Sequence, residues 1–317
     1  MIQRIQSQKC LASRFLRNGE VSHSHRYLSK ILSVALIAIG FFTGCGRQAD
    51  ETFTLWQLPS RTNTIGNSYV LQTAGGKLIV MDGGYGTEKD YLRGFIDALG
   101  GGKVDAWFIS HPHDDHMTAL TELLEKPDGL VIDRIYHSRF TEELIQTEKG
   151  AVEPTRRFYA ALDAARNVEV IDSHCGDEFE IDGVHFKILS EKNPEMLTHY
   201  NDQSMVIRVW DDHKSVVFLG DLGPEGGRKL MNSEYMKDVD CDYLQMAHHG
   251  QAGCDKEFYQ RASFRACLWP TPTWVYDNDL GQGFNTGHLK TIEVREWMKE
   301  KGITEHYVSC EGLVRIK

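Results

Sequence analysis

The feature that most constrains this chain is the run His111-Pro112-His113-Asp114-Asp115-His116, which puts metal-binding side chains almost back to back. It follows directly on Val104-Asp105-Ala106-Trp107-Phe108-Ile109-Ser110, whose apolar character reads as a buried strand. An H-x-H-x-D-H spacing at a strand end suits two metal ions side by side. Imidazole nitrogens take one ion, while a carboxylate and the last imidazole reach the second. A solvated polar turn would explain the polarity of the run but not its density of ligand-type groups.

At 317 residues the chain can bury a full core, and 41% hydrophobic with 25% charged residues excludes bulk disorder. The formal charge is -10. A concentration of positive charge sits at the start, in Arg4, Lys9, Arg14, Arg17, Arg26 and Lys30, so the remainder is more acidic still. An acidic body repels phosphate backbones at long range, which disfavours nucleic acid as partner and points to a small-molecule or cell-envelope substrate. The basic start is followed by an apolar run from Ile31 to Phe42 and then by Thr43-Gly44-Cys45. That run is too short to span a bilayer but suits a signal-peptide core. Small residues before a cysteine resemble the bacterial lipoprotein cleavage signal, with Cys45 as the lipidated first mature residue. The expected organisation is therefore a leader over 1–44, a linker over 45–51 and one domain over 52–317. The expected location is extracytoplasmic at the cell envelope, with membrane contact through the lipid only. The later cysteines, Cys175, Cys241, Cys254, Cys267 and Cys310, are odd in number and lack C-x-x-C spacing, so they read as small hydrophobes and not as a disulfide framework.

Along the domain, Phe53 to Leu58 reads as an edge strand, and 68–73 with 77–82 as a hairpin ending in Asp82-Gly83-Gly84. Helices are expected over 88–99, 117–125, 154–165, 256–261 and 289–301. Strands are expected over 130–136, 168–171, 178–181, 184–189, 204–210, 215–219, 244–247 and 266–269, with a closing hairpin at the C-terminus. Two face-to-face sheets with helices outside account for this pattern.

Ligand-type residues recur at the ends of four apolar strands: Asp82, the His111–His116 run, Asp221 and His248-His249. Converging strand ends make one site. Asp82, beside two glycines, is expected to orient a ligand, since metal-bound imidazoles need acceptors behind them. Asp221 is expected to bridge two ions. His137 and His199 are secondary pocket candidates, and His174, His185, His213 and His306 read as structural. The segment Trp269-Pro270-Thr271-Pro272-Thr273-Trp274 is either core or a wall for an apolar or cationic substrate group.

Taken together, these residues resemble the metallo-beta-lactamase superfamily across 52–317. Asn201-Asp202-Gln203-Ser204, Phe218-Leu219-Gly220-Asp221, His248-His249-Gly250 and Asn285-Thr286-Gly287-His288 are similar to the subgroup with the hydrolase domain of ComEC-type DNA-uptake proteins and choline-phosphate esterases. The resemblance implies an αββα sandwich of two mixed, mostly antiparallel sheets around a dinuclear site, usually zinc, with Mn2+ or Fe2+ also compatible. It implies that His111, His113 and His248 hold the first ion, Asp115, His116 and His288 the second, and that Asp221 bridges. Asn201 stands where the family pattern has a histidine, so the double-histidine motif is expected to supply that ligand. Leu289 stands where the subgroup tends to have proline. Asn201, Ser204, Asn285, Trp269 and Trp274 are expected to support the ligands or line the pocket. The expected activity is hydrolysis of a phosphodiester or phosphoester by water activated between two ions, with Asp115, Asp221 and His249 catalytic and either His249 or a metal-bound water protonating the leaving group. The alternatives are opening of a lactam or lactone ring and a non-catalytic, metal-retaining binding lipoprotein.

Overall fold

The structure, a computed structural model, describes residues 53–317. The expected leader, Cys45 and the linker lie outside the described residues. Strands β1 (Phe53–Gln57), β2 (Ser68–Thr73) and β3 (Leu78–Asp82) open the domain, followed by helix α1 (Lys89–Gly100). Next come β4 (Lys103–Val104), β5 (Ala106–Phe108), α2 (Asp114–Glu125), β6 (Val131–Ile132), β7 (Arg134–His137), α3 (Glu142–Ile145), α4 (Val152–Ala164) and β8 (Glu169–Asp172). The second half supplies β9 (Glu178–Ile181), β10 (Val184–Ser190), β11 (Val206–Trp210), β12 (Ser215–Phe218), α5 (Pro224–Met231), β13 (Tyr243–Gln245), α6 (Lys256–Arg261) and β14 (Ala266–Trp269). Helices α7 (Thr273–Tyr276) and α8 (Thr291–Glu300) precede β15 (Glu305–Val308) and β16 (Val314–Ile316).

Two seven-stranded sheets result, ordered β16-β1-β2-β3-β5-β7-β8 and β15-β14-β13-β12-β11-β10-β9. The expected mixed αββα sandwich is what forms. Each sheet is half antiparallel: the β3-β5-β7-β8 side of the first and the β12-β13-β14-β15 side of the second are parallel. The parallel share exceeds the expected one because helices intervene between successive strands there and return the chain in the same direction. The middle strands are then covered on both faces, which is why all of β3 is buried. Leu78 and Val80 face α1 and α2, while Ile79 and Met81 face the other sheet. Across the sandwich, Phe108 stacks on Phe186 with ring centroids 5.5 Å apart. Each such fully buried side chain stabilises the fold by about 1.5–3 kcal/mol.

Two expectations are corrected. The closing hairpin does not form, because β15 pairs with β14 in one sheet and β16 pairs with β1 in the other. A turn over Ser309–Glu311 carries the chain across, and it is pinned where Ser309 Oγ donates to the Thr271 carbonyl at 3.0 Å and accepts from Thr271 N at 2.7 Å. The strand expected over 130–136 is two, since β6 leaves the main sheet to pair with β4.

Helix α2 begins at Asp114, inside the ligand run, three residues before the expected start. Acidic residues in a first turn face the positive helix end. His113 therefore sits at the N-cap, and Asp115 and His116 ride on the first turn. Parallel strands put their C-terminal ends on one edge, so β3 and β5 from one sheet meet β12 and β13 from the other there.

Candidate metal centre

At the end of β3, Asp82 adopts φ +54, a left-handed conformation that Asp tolerates better than most residues. Its buried carboxylate accepts hydrogen bonds from Ser110 N at 2.7 Å, Ser110 Oγ at 3.0 Å and Asn67 Nδ2 at 2.6 Å. It also lies 2.8 Å from His116 Nδ1. A carboxylate only accepts, so His116 Nδ1 carries a hydrogen, and Nε2 faces Asp221 Oδ1 at 3.1 Å. Asp82 thus stands behind His116 in the orienting place the sequence suggested.

Asp221 follows β12 through Gly220, whose φ is +56 and whose added Cβ would lie 2.7 Å from the Ser110 side chain. Only glycine fits there. Gln245, fully buried, holds the turn by accepting from Leu219 N and donating to the Gly220 carbonyl. Ser204 Oγ accepts from Asp221 N at 3.2 Å and lies 3.4 Å from His111 Nδ1.

The end of β13 is bent sharply. His248 and His249 have φ of 50 and 54, and Gly250 has φ +75 with no room for a Cβ beside the Trp269 ring at 2.4 Å. Left-handed backbone at two successive histidines costs of order 1–3 kcal/mol each and persists where surrounding structure enforces it. The turn drives His249 fully inward. Its Nδ1 donates to the Pro270 carbonyl at 2.9 Å, and its Nε2 lies 2.9 Å from Asp115 Oδ2 and 3.4 Å from Asp221 Oδ2. His248 stays at the mouth with Nε2 3.8 Å from Asp221 Oδ2, beside Asn201 Nδ2 at 3.3 Å.

Ligand-type atoms gather in two groups, each within 4.8 Å: Asp115, His116, Asp221 and His249 in one, His111, His113 and Asp221 in the other. Asp221 belongs to both. Buried His116 Nε2, His249 Nε2 and Asp221 Oδ1 all lack a hydrogen-bond partner, although they lie close together. Buried polar atoms are nearly always satisfied, so three orphans converging on one point fit a bound cation. Electrostatics agree. Burial would depress His116, but Asp221, Asp115 and Asp82 outweigh it and hold the imidazole well above its ordinary range. His249 is opposed by burial in the same way, yet Asp221 and Asp115 push it up to about 9. Burial, then the neighbouring imidazoles of His116 and His113, holds His111 well below the usual range. The carboxylates of this cluster call for positive charge, which two divalent ions would provide.

Several expected positions lie elsewhere. His288 is exposed and joins neither group; the place expected for it beside Asp115 and His116 is taken by His249. Within the histidine pair His249, expected as the proton donor and not as a ligand, is the inward residue beside Asp115 and Asp221, and His248, expected as a ligand to the first ion, sits at the mouth near Asp221. Asn285 is exposed and bonded to Asn278 Nδ2 at 2.9 Å. Trp269 is core and donates to His306 Nδ1. Trp274 donates to the Asn63 carbonyl, away from the groups. His137 packs against Phe158 and Tyr159, and His199 is largely exposed. Cys254 is buried with its thiol on the Leu222 carbonyl.

The structure also adds residues that sequence reading missed. Asn67 and Ser110 bond Asp82, and Glu148 bonds His113 Nε2 at 2.9 Å from a loop 35 positions on. Tyr85, three residues after Asp82, lines a cleft of about 330 Å³ with His113, Asp115, Glu148 and Lys149. Half-burial, then the charges of Asp115, Asp114 and Asp221, push its phenol up to about 12. The Asp-Gly-Gly-Tyr run offered a signal for Tyr85; nothing local offered one for Glu148.

With this geometry in view, the metallo-beta-lactamase superfamily model matches residues 61–253. The chain belongs to the metallo-beta-lactamase superfamily. Among solved structures, this metallo-beta-lactamase relative is similar to the YhfI metallo-beta-lactamase fold protein of Bacillus subtilis, at 14% identity and TM-score 0.52. That match covers 84% of this chain and 100% of the other. It is also similar to CmlA, a diiron beta-hydroxylase from Streptomyces venezuelae, at 11% identity and TM-score 0.50 over 84% of this chain and 54% of the other. A diphosphatase of the PhnP family aligns at 14% identity and TM-score 0.46, over 83% and 97%. No curated protein sequence matches the chain. The superfamily is one of metallo-hydrolases, and the two groups of this metallo-beta-lactamase relative form a candidate dinuclear metal site.

Proposed function

We propose that this protein is a dinuclear metal-dependent phosphoesterase, acting on a small phosphodiester or phosphomonoester and held at the cell envelope by lipid on Cys45. The observation that carries the reading is Asp221, a buried carboxylate shared by two ligand groups. In this reading Asp115, His116, Asp221 and His249 hold one ion. His111, His113 and Asp221 hold the other, with His248 the nearest residue to complete it. Zinc suits these nitrogen and oxygen donors, and Mn2+ or Fe2+ would also be accepted. A pair of divalent ions there would supply water activation at neutral pH and neutralise charge on a phosphoryl group.

The chain's own residues do the rest. Asp82 and the Pro270 carbonyl fix the tautomers of His116 and His249, so each presents Nε2 inward. Asp115, beside His249, leaves that imidazole facing the ion and not the leaving group, so the proton-donating role expected of His249 passes to the mouth. Tyr85 lines that mouth and keeps its hydrogen at neutral pH, so it can donate to a leaving oxygen or a phosphoryl oxygen. Lys149 in the same cleft is exposed and offers a cation to an anionic substrate.

The test is elemental analysis of the mature protein after mild purification, with assays on chromogenic phosphodiester, phosphomonoester, lactam and lactone substrates. Two ions per chain with turnover of a phosphoester is the expected result. Exclusive turnover of a ring substrate, or a metal-replete protein inert on every substrate, would refute the phosphoesterase reading.

A further inference from the structure

Three of the four inward histidines have a backbone or carboxylate oxygen behind the ring, and the one behind His113 is Glu148. Its Oε2 lies 2.9 Å from His113 Nε2, and its Oε1 accepts from Tyr200 N at 2.7 Å. A carboxylate cannot donate, so the His113 hydrogen is held on Nε2 and Nδ1 turns to the cluster, 2.9 Å from His111 Nε2. The Tyr200 ring stacks on the His113 ring at 5.2 Å and 19°, so the imidazole is held at its edge and on its face by one connected unit. The Tyr200 hydroxyl closes that unit by donating to the Ile145 carbonyl at 2.7 Å, three residues before Glu148.

The same turn that Tyr200 opens, Tyr200–Gln203, carries Asn201 against His248 and leads to Ser204, which touches His111 and Asp221. Glu148 therefore ties His113 to the segment supporting the rest of the His111 group. It touches nothing in the group of Asp115, His116 and His249, whose rings rest on Asp82 and the Pro270 carbonyl. The arrangement is one-sided.

We propose that Glu148 is a positioning residue that selectively sets the affinity of the His111/His113/Asp221 position for its metal ion, leaving the other position unaffected. The inference rests on the dinuclear reading above. Glu148→Gln keeps the shape, but one amide oxygen cannot accept from both His113 and Tyr200, and the amide hydrogens oppose whichever donor remains. Outer contacts of this kind change metal affinity by about 10–100-fold.

The experiment is Zn2+ titration of the metal-free full-length protein against a chromophoric chelator, for wild type and Glu148→Gln. It is paired with nitrogen-15 NMR of the His113 ring in metal-free wild type. Wild type should take up two ions, and the variant should hold one as tightly as before and the other about 10–100-fold more weakly. The ring should carry its hydrogen on Nε2. Two unchanged affinities in the variant, equal weakening of both, or a hydrogen on Nδ1 of wild-type His113 would overturn the inference while leaving the dinuclear reading intact. A wild type that takes up no Zn2+ would overturn that reading and this one together. The NMR arm needs no variant, so a misfolded Glu148→Gln would not rescue the inference.

Discussion

Replacing Asp82 by Asn isolates what the carboxylate behind His116 is worth. Asn matches Asp in shape and tolerates the left-handed φ of +54, so the backbone is not at issue. The hydrogen bonds are. Oδ1 accepts from Ser110 N, while Oδ2 faces Asn67 Nδ2, Ser110 Oγ and His116 Nδ1. If the oxygen of the introduced amide keeps Ser110 N, its amide hydrogens confront all three. The Ser110 hydroxyl can rotate to accept, and Asn67 can flip to offer its Oδ1, which has no partner as it stands. The imidazole, held positive in the metal-free protein, can comply only by giving up its Nδ1 hydrogen and keeping the one on Nε2 that points at Asp221. Losing charge-assisted bonds worth about 1.5–3 kcal/mol each, partly recovered by Ser110 and Asn67, leaves a net cost of about 2–4 kcal/mol. Urea unfolding of metal-free wild type and Asp82→Asn would measure it without the added contribution of bound ions. Chelator competition should also show metal affinity lowered about 10–100-fold at the His116 position. A stability change under about 0.5 kcal/mol, the scatter of ordinary surface substitutions, with unaltered affinity would show that the hydrogen bonds of Asp82 do not hold His116 in place.

His249→Ala should strip the metal held with Asp115 and His116, while His248→Ala should weaken only the other position; metal-to-protein ratios after dialysis decide, and a His249→Ala variant that keeps both ions but loses turnover would restore the roles expected from sequence. Tyr85→Phe should retain both ions and fold normally but lower phosphoester turnover by roughly 10²-fold or more, and unchanged turnover would remove Tyr85 from the chemistry. Cys45→Ser should leave the protein unprocessed or free of membranes on fractionation; a variant that still partitions with membranes at its mature size would refute lipid anchoring.

What sequence could say about the site depended on how local each signal was. The His111–His116 run and Gly220-Asp221 are written in adjacent residues at strand ends, and both were legible as ligand sources. The order within His248-His249 was not, because it is decided by two left-handed φ values and by Gly250 lying on Trp269, none of which leaves a pattern in one dimension. His288 sits on a loop closed by Asn278, whose side chain bonds Leu289 N and the Gly287 carbonyl, and that closure leaves the imidazole outside. Glu148 reaches His113 only once α3 and the Tyr200 turn have packed. In the fold, periodicity located most strands but could not assign them to sheets, and β15 and β16 read as a hairpin because nothing in their sequence reveals that their partners differ.

The pairing of β16 with β1 joins Leu55 to Ile316 across nearly the whole domain. During synthesis β1 therefore waits as an edge with unpaired backbone groups until residues 314–316 leave the ribosome. The nascent domain cannot close early, and any truncation that removes 314–316 strips the first strand of its outer partner. A tag or stop placed at Val314 would thus be felt first at Leu55, far away in sequence and adjacent in space.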